Sequence, residues 1–496
     1  MDASHIRSAV VVLLTLVCLV PAPSSAQEAR TTWDGIERVI AFADVHGDYE
    51  ALQTLLRESG VMDVQDRWAA GRTQVVSLGD LLDRGAGSRK VMDLLMRLQQ
   101  EAAQAGGGLQ VVLGNHEAMN LLGDLRYVDA AEMAAYVDLE PAGARDAARA
   151  AWSQACAAPC ESFDTHFAPG WFGHRAAFAP DGRYGRWLLA LPVAIRVNDA
   201  LFLHGGVGPV LQGMNLAALN LRYRTALTEY LGLASQLTQA GLVRAEDPFQ
   251  DRSRLAAERL AAAGDKAPPG QQELLRRFSA ASENPLLSED GPNWYRGEAL
   301  CNEASEADVL EPMLRQFGVK RLVIGHTPTR NLRVVTRFDG RVTKLDTGMN
   351  RAAYRGRGSA LILAGGAAQV RYVGETATVA PEPEGLFVAP NQLDDASVQA
   401  AMRDGEVSVT GAIGPDEISV TVTHGSRRIP AVFLARPADA VRREMAAFRL
   451  DRLLGLGVVP ATAAREVQGR AGVLQARPAK WVTQAAVQEQ GLRGGG

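Results

Sequence analysis

The chain has 496 residues, 47% of them hydrophobic and 22% charged, and this composition excludes wholesale disorder. The formal net charge of −4 and the lack of a Lys/Arg stripe argue against a nucleic-acid partner. A chain of this length exceeds what one hydrophobic core usually serves, so we expect at least two domains.

The first 26 residues have the pattern of a secretory signal peptide. Arg7 precedes the apolar run AVVVLLTLVCLV, and the small residues SSAQ then indicate cleavage after Ala26. The run has about a dozen residues, whereas a membrane-spanning helix needs about 20. We therefore predict a signal peptide at residues 1–26, a periplasmic or secreted protein, and no membrane anchor.

Export would permit a disulfide bond, and the segment CAAPC makes a local Cys156–Cys160 bond conceivable. The alternative is that these residues are reduced thiols without a role. Neighbouring cysteines and histidines do not complete the four ligands of a structural zinc site.

Five apolar runs of strand length are each followed at once by a polar cluster: RVIAFADVHG, TQVVSLGDLLDRG, LQVVLGNHE, ALFLHGG and KRLVIGHTPT. Runs of this length that end at glycine are typical of buried strands. YEALQTLLRESG and SRKVMDLLMRLQQEAAQ between them have helical periodicity. Alternating strands and helices predict an α/β layered fold, in which ligands bind at the carboxyl ends of the strands.

Two long stretches interrupt this alternation of predicted strands and helices. Residues 124–180 and 211–290 are rich in alanine, leucine and arginine, which predicts helical insertions beside the crevice. Three prolines mark a linker at 376–398. We thus predict a main domain at 33–375, a small α+β C-terminal module at 399–486 and a flexible tail at 487–496.

Seven polar side chains with metal-binding potential follow the five predicted strands: Asp44, His46, Asp80, Asn115, His116, His204 and His326. Each alone would usually be a cap, a turn residue or a core partner. However, four of the eight histidines of the chain occupy such positions. Mixed oxygen and nitrogen donors suit Mn, Fe or Zn. Two divalent metal ions that share a bridging carboxylate would use all but one of the seven. A single catalytic zinc ion keeps only about three protein ligands and would leave most of them unused.

The ordered motifs DVHGD, GDLLDRG, GNHE, LHGG and GHT resemble those of the calcineurin-like metallophosphoesterases, in the protein-phosphatase branch. GNHEAMNLLGDLRYV, GPNWYRG, VIGHTPT and LDTGMNRAAY resemble the Shewanella-like protein phosphatases within that branch. The resemblance covers roughly residues 36–375. It implies a layered β-sandwich with flanking helices and helical insertions.

The resemblance also implies which residues hold the metal ions. Asp44 and His46 would hold the first ion, and Asp80 would bridge both. The second ion would be completed by three further residues, Asn115, His204 and His326.

The same resemblance assigns the chemistry around the ions. A metal-bound hydroxide would attack phosphorus, and His116 would act as the general acid for the leaving group. Asp83 would pair with His116 and keep it charged. Arg84 and Arg296 would contact the phosphate oxygens. Glu117 has two interpretations, one that it orients a ligand or an arginine and one that its role is only structural.

Other polar residues are weaker candidates. We expect structural roles for His166 and His174, and Arg175 is a candidate for reaching the phosphate. Asp346 is expected to fix a turn beside the site. His424 is expected to face solvent in a hairpin of the C-terminal module.

The C-terminal module contains ISVTVTHGSRRIPAVFLARP, which alternates around a glycine turn, and then AVRREMAAFRLDRLLGLG, which has helical periodicity. This hairpin and helix resemble the amino-terminal lobe of HipA-like or secretory-kinase-like proteins. Leu434 stands where such a lobe has its phosphate-binding lysine, and Glu444 stands at the position of its helix glutamate. No catalytic-loop motif follows, so we expect a docking module with an unidentified ligand rather than a kinase.

The leading interpretation is a phosphomonoesterase that acts on phosphoproteins, with tyrosine-directed activity suggested by the resemblance. An alternative with the same chemistry is a phosphatase or pyrophosphatase for nucleotides or small phosphometabolites. A third interpretation is a binding protein in which the phosphatase core is only a scaffold. It predicts that the loss of metal donors is tolerated.

Overall fold

The structure is a computed structural model that describes residues 30–155, 162–245, 247–264, 267–301, 303–384, 395–425, 427–454 and 459–477. The predicted signal peptide, Cys156, Cys160 and the predicted tail lie outside the described residues. No helix of the described ranges has both the length and the apolar character to cross a membrane.

Two sheets form the main part of the chain. The strands of the larger sheet are β1 Thr32–Trp33, β5 Ala194–Val197, β6 Ala200–Leu203, β7 Arg321–Ile324, β8 Val335–Arg337, β9 Val342–Lys344 and β12 Glu382–Pro383. The strands of the smaller sheet are β2 Arg38–Phe42, β3 Gln74–Ser77, β4 Gly108–Val111, β10 Ser359–Ala364 and β11 Ala367–Tyr372. The strand orders are β1-β5-β6-β7-β9-β8-β12 and β11-β10-β2-β3-β4.

Parallel pairing brings the ends of the site-bearing strands together. In the smaller sheet β2, β3 and β4 are parallel neighbours, with Gln74 opposite both Val39 and Gly108. In the larger sheet β6 and β7 are parallel, with Leu201 opposite Leu322. The carboxyl ends of neighbouring parallel strands lie at one edge of the sheet, so the loops that follow them meet there.

The two sheets pack face to face because side chains alternate along each strand. Val39 and Ala41 of one sheet share a buried cluster with Phe202 and Val323 of the other. The intervening residue Ile40 belongs to a second cluster formed with the flanking helices. This arrangement confirms the predicted α/β layered sandwich.

Helices cover the outer faces of the sandwich. Those outside the two long insertions are α1 Tyr49–Glu58, α2 Ser88–Gln104, α3 Asn115–Leu122, α8 Arg183–Ala190, α12 Gly297–Leu300, α13 Glu303–Phe317 and α14 Arg351–Tyr354. Asp48 caps α1 by accepting a hydrogen bond from the N–H of Ala51 at 3.0 Å. The leucines of α1, Leu52, Leu55 and Leu56, are buried on one face at helical spacing.

Both predicted insertions are helical. The first contains α4 Ala130–Ala134, α5 Ala144–Ala155, α6 Phe163–His166 and α7 Trp171–Phe178. The second contains α9 Leu216–Gln239, α10 Arg252–Ala263 and α11 Gln271–Ser282. Tyr230, Leu237, Leu260 and Phe278 of the second insertion form a hydrophobic cluster of their own.

A third sheet lies in the C-terminal part of the chain. Its strands are β13 Glu406–Gly414, β14 Glu417–His424, β15 Arg427–Ala435, β16 Thr462–Val467 and β17 Arg470–Ala476, and its helices are α15 Asp395–Asp404 and α16 Ala438–Leu454. The order β13-β14-β15-β17-β16 is antiparallel throughout. The predicted hairpin is β14–β15, with Val422 opposite Ile429. Regular structure extends into both ends of the predicted linker, because β12 pairs with β8 and α15 begins at Asp395.

Candidate metal centre

All six predicted metal ligands are buried and lie just after strands of the sandwich. Asp80 lies at the centre of the cluster. Its Oδ2 atom is 3.2 Å from Nε2 of His204 and 3.8 Å from Nε2 of both His46 and His116. Two groups of donors with mutual distances within 4.8 Å therefore share Asp80: His46, Asp80 and His116 in one, and Asp80, His204 and His326 in the other.

Backbone carbonyls orient two of the imidazole rings. Nδ1 of His46 donates to the carbonyl of Leu82 at 3.0 Å, and Nδ1 of His204 donates to the carbonyl of Leu78 at 2.7 Å. A neutral imidazole that donates through Nδ1 presents the lone pair of Nε2, which is the form that binds metals. Both Nε2 atoms face Asp80.

The contacts of His204 fit a bound cation. Its Nε2 lies 2.8 Å from Oδ1 of Asn115, 3.2 Å from Oδ2 of Asp80 and 3.2 Å from Nδ1 of His326. In the neutral ring that donates through Nδ1, Nε2 is an acceptor and faces two acceptor oxygens, those of Asn115 and Asp80, and an added proton would satisfy only one of them. A divalent cation accepts lone pairs from all of them at once, and this mixture of oxygen and nitrogen donors suits Mn, Fe or Zn.

Asp44 adds a buried carboxylate. The backbone N–H of His326 donates to its two oxygens at 3.1 and 3.0 Å. Burial, together with nearby Asp346 and Asp80, raises the pKa of Asp44 well above its usual value. A cation would relieve this crowding of negative charge. Asp44 is not in either donor group, whereas His116 is, so the assignment of the first metal ion to Asp44 and His46 stays a prediction.

His116 is paired with Asp83. Nδ1 of His116 lies 2.5 Å from Oδ2 of Asp83, and both side chains are buried. Burial opposes the imidazolium form, but Asp80 and Asp83 outweigh it and raise the pKa of His116. Asn120 supports the pair, since its Nδ2 donates to Oδ1 of Asp83 and to the carbonyl of His116, both at 2.9 Å. Asn120 is not among the predicted site residues, although it follows His116 by four residues on the same helix, a spacing that places both side chains on one face.

Glu117 orients the loop that carries Asp80. Its Oε2 accepts from the N–H groups of Asp80 at 2.8 Å and of Gly114 at 2.9 Å, and its Oε1 accepts from Leu81 at 2.8 Å. Burial and nearby Asp80 raise the pKa of Glu117 to about 7. These contacts favour the interpretation that Glu117 positions a ligand, which it does through the backbone.

Two aromatic rings flank Arg84. Its guanidinium carbon is 4.6 Å from the ring centre of Tyr127 and 5.3 Å from that of Tyr354. The hydroxyl of Tyr354 is 3.3 Å from Nε2 of His46. Both tyrosines lie in motifs that carry the family resemblance, but neither is among the predicted site residues.

Arg296, the other predicted phosphate contact, is also at the centre. Its Nη1 donates to Oγ1 of Thr327 at 2.8 Å and to the carbonyl of His326 at 3.2 Å. Burial lowers the pKa of Arg296 from its ordinary value.

Arg175 does not reach the metal centre, in contrast to its candidacy as a phosphate contact. Its guanidinium is engaged at the C-terminal end of α3, where Nη1 donates to the carbonyl of Asn120 at 2.6 Å and Nη2 to that of Leu121 at 3.2 Å. Arg252, from the second insertion, donates there to the carbonyl of Leu122 at 2.7 Å. Both arginines bind carbonyls of the last turn of the helix, where intrahelical donors run out; the carbonyl of Asn120 also accepts from the N–H of Gly123 at 3.3 Å.

The remaining candidates have the expected surroundings. His174 is buried and stacks on Phe178 with ring centres 4.2 Å apart, and the ring of His166 lies 4.8 Å from that of Trp152. Asp346 accepts from the N–H of Gly348 at 2.9 Å and thus fixes the turn beside Asp44. In the third sheet His424 is exposed at the end of β14, and Leu434 pairs with Val473.

The backbone of the centre is strained. Six of the predicted site residues have a positive φ, between 39° and 69°: Asp44, His46, Asp80, Asp83, Arg84 and His326. Non-glycine residues rarely adopt this conformation, and sparsely populated backbone conformations cost about 1–3 kcal/mol each. Such strain persists where the surroundings determine the conformation, and it tends to concentrate at functional sites.

The sequence of this chain is similar to those of known phosphoesterases. Residues 37–330 match the family described as calcineurin-like phosphoesterase. The chain is 35% identical over 197 residues to Shewanella-like protein phosphatase 2 of Arabidopsis thaliana. The matched region covers 37% of this chain and 50% of that protein. It is 28% identical over 192 residues to Shewanella-like protein phosphatase 1 of Plasmodium berghei, covering 39% and 44%. Each match thus spans half or less of the relative.

A solved structure of a cold-active protein-tyrosine phosphatase from a psychrophilic Shewanella species is also similar. The sequence identity is 25%, the TM-score is 0.45, and the similarity covers 69% of this chain and 82% of that one.

Proposed function

This chain belongs to the calcineurin-like phosphoesterase family, and from that premise we propose that it is a phosphomonoesterase that uses two divalent metal ions and acts on phosphoproteins. The family is metal-dependent and hydrolyses phosphoesters. The observation that carries the proposal of two ions is the position of Asp80, whose carboxylate is shared by two donor groups.

Asp44 and His46 would hold one ion, and Asn115, His204 and His326 the other, with Asp80 between them. A pair of ions there would polarise the phosphoryl group and lower the pKa of a water molecule. The protein contributes the fixed directions of the donors, since backbone carbonyls already orient the rings of His46 and His204.

His116 would protonate the leaving oxygen. An alkoxide or phenolate leaves poorly unless it receives a proton, and a positioned acid typically contributes about 10²–10⁴-fold to the rate. The contact with Asp83 favours the imidazolium form that this role needs. Asn120 fixes the orientation of Asp83, so the proton is held in a defined direction.

Arg84 and Arg296 would bind the phosphate oxygens. The rings beside Arg84 restrict its guanidinium without using its N–H groups, which leaves those groups available for an anion. Arg296 is held beside His326 by its contact with Thr327. The two guanidinium groups would therefore meet a phosphoryl group near the donor cluster.

The names of the two relatives support a phosphoprotein substrate. Tyr127 supports an aryl phosphoester such as phosphotyrosine. The residue is 38% exposed, and the centre of its ring lies 5.1 Å from that of the His116 ring. An aromatic leaving group protonated by His116 would come next to this ring and pack against it.

A comparison of kcat/KM across four substrates tests the proposed activity. The substrates are a phosphotyrosine peptide, a phosphoserine peptide, a nucleotide and a phosphodiester, each assayed with elemental analysis of the same preparation. We expect about two ions per chain and the highest value for the phosphotyrosine peptide. A preference for the nucleotide would support the alternative of a small-metabolite phosphatase, and an inactive protein that binds no metal would contradict the proposal.

We further propose that the protein is exported, on the basis of the pattern of residues 1–26. Expression of the full chain with fractionation of the cells tests this. Mass spectrometry of the exported protein should show Gln27 as the first residue. An unprocessed chain that is retained in the cytoplasm would contradict the proposal.

We also propose that the C-terminal module binds a ligand and does not catalyse. Leu434 on β15 offers no charge for a nucleotide phosphate. On α16, three leucines expose large fractions of their side chains, Leu450 at 53%, Leu453 at 81% and Leu454 at 51%. Exposed apolar groups that lie together are typical of binding surfaces. A measurable ATPase or kinase activity of the purified chain would contradict this proposal.

A further inference from the structure

The segment 291–298, GPNWYRGE, follows the second insertion, includes the first two residues of α12 and contacts three loops of the metal centre. We call it the 291–298 segment. Of its residues, only Arg296 has a predicted role, which is to contact the phosphate oxygens. Four other residues of the segment contact the loops that carry Asn115, His204 and His326: Pro292, Asn293, Trp294 and Glu298.

The first contact is made by Asn293. Its side chain is fully buried, and its Nδ2 donates to the carbonyl of Leu113 at 2.7 Å. Leu113 precedes Asn115 by two residues. The hydrogen bond therefore fixes the chain just before the predicted ligand.

The second contact is made with the loop after His204. The carbonyl of Pro292 accepts from the N–H of Gly205 at 2.9 Å, and Oε1 of buried Glu298 accepts from the N–H of Val207 at 3.0 Å. The two backbones are so close that a Cβ at Gly205 would lie 2.8 Å from the carbonyl oxygen of Pro292. Only glycine permits this approach.

The third contact is made with the loop of His326. The ring of Trp294 meets the His326 ring edge-on, with centres 5.6 Å apart, and Arg296 donates to the carbonyl of His326. One short segment thus contacts all three residues that would complete the coordination of the second metal ion. It does so directly or through the adjacent backbone.

From these contacts we infer that Asn293 and Glu298 are positioning residues for the metal site formed by Asn115, His204 and His326. They act through the backbone of the loops and do not touch the ion. The inference rests on the proposed function, because it assumes that two ions bind. It adds that the site of the second ion depends on side chains of the 291–298 segment that bind the loops of Asn115 and His204. Among the described residues, the side chains of Asn293 and Glu298 make no hydrogen bond or ion pair with the loop of Asp44 and His46.

Titration of the metal-stripped full chain with Mn²⁺ in a calorimeter tests this inference. Loss of a group that orients a metal ligand typically weakens affinity about 10–100-fold. We expect Asn293→Ala and Glu298→Ala to weaken one of two Mn²⁺ sites by about that factor, with little change at the other. Glu298→Gln keeps the oxygen that accepts from Val207 and should bind Mn²⁺ nearly as the wild type does.

Asn220 provides a matched control. It is also a buried asparagine, and its side chain accepts from Val193 at 2.7 Å and donates to the carbonyl of Ala194 at 2.9 Å. Asn220→Ala should lower the Tm and leave both Mn²⁺ affinities unchanged. The inference is wrong if Asn293→Ala and Glu298→Ala behave like this control, or if Glu298→Gln is as impaired as Glu298→Ala. A wild-type chain that binds fewer than two ions would instead overturn the proposed function.

Discussion

Asp83 and His116 form a buried pair in which a carboxylate oxygen lies 2.5 Å from Nδ1 of the imidazole. The other ring nitrogen, Nε2, faces Asp80 at 3.8 Å. The ring therefore has one side fixed by a carboxylate and the other directed at the donor cluster. This geometry suits a proton donor, but the same Nε2 atom is also within reach of a metal ion.

Replacing His116 distinguishes these two roles. We expect His116→Asn to lower kcat for a phosphoserine peptide by about 10²–10⁴-fold, because the leaving oxygen loses its acid. Metal content should stay near two ions per chain by elemental analysis. A joint loss of one ion and of activity would show that His116 is a ligand.

Replacing Asp83 should change the pH dependence. Asp83 helps to raise the pKa of His116, so Asp83→Asn should lower it. The imidazolium is present below this pKa and is lost as the pH rises through it. The alkaline limb of the kcat–pH profile should therefore move to lower pH. An unchanged alkaline limb would mean that another group is the acid.

The ring of Tyr127 should favour aryl substrates. An aromatic pair is worth about 0.5–1.5 kcal/mol beyond burial, so Tyr127→Leu should reduce the ratio of kcat/KM for phosphotyrosine over phosphoserine peptides about two- to tenfold. Tyr127→Phe keeps the ring and serves as the control. Arg84 would contact the phosphate of both peptides, so an effect of the substitution on Arg84 cancels in the ratio of the two kcat/KM values. Equal ratios in the three proteins would remove Tyr127 from substrate selection.

Arg175 should contribute to stability and not to substrate binding. Its removal takes the side-chain donor from the carbonyl of Leu121 and leaves that of Asn120 with the N–H of Gly123, and an unsatisfied buried acceptor costs about 1–3 kcal/mol. We expect Arg175→Ala to lower the free energy of unfolding in urea, with KM for an aryl phosphate unchanged. Arg84→Lys should have the reverse effect, a raised KM at near-normal stability. A raised KM in Arg175→Ala at full stability would restore its candidacy as a phosphate contact.

Deleting residues 385–496 should spare hydrolysis of a small aryl phosphate. The third sheet has a hydrophobic core of its own, which includes Met402, Val422 and Phe433, and the donor residues all precede the deletion. Removal should affect only substrates that use the module. A truncated chain that folds by circular dichroism but is inactive would contradict the separation of the two parts.

The strands and the positions of the donors could be predicted because both depend on local patterns. A short apolar run that ends in glycine indicates a strand, and polar residues after parallel strands meet at one edge. These patterns accordingly predict Asn115, His204 and His326 at one edge. The sequence leaves two interpretations of Glu117, because its partners are backbone N–H groups that no residue pattern specifies.

The contacts of Arg175 and Asn293 could not be predicted for a different reason. Arg175 donates to a carbonyl 55 positions away, and Asn293 to one 180 positions away. Both acceptors are backbone atoms, which every residue carries, so the sequence contains no sign of the pairing. Tertiary packing alone determines which carbonyl each side chain meets.

The two arginines at the end of α3 limit how far this protein could be shortened. The helix has eight residues, begins with Asn115 and His116, and ends on guanidinium groups from both insertions. A minimal version that lacked either insertion would leave carbonyls of this helix exposed or unpaired. The helix would then be held less firmly, and so would its first turn, which carries Asn115 and His116. A shortened protein would therefore need new hydrogen-bond donors for the end of a helix whose residues are almost all buried.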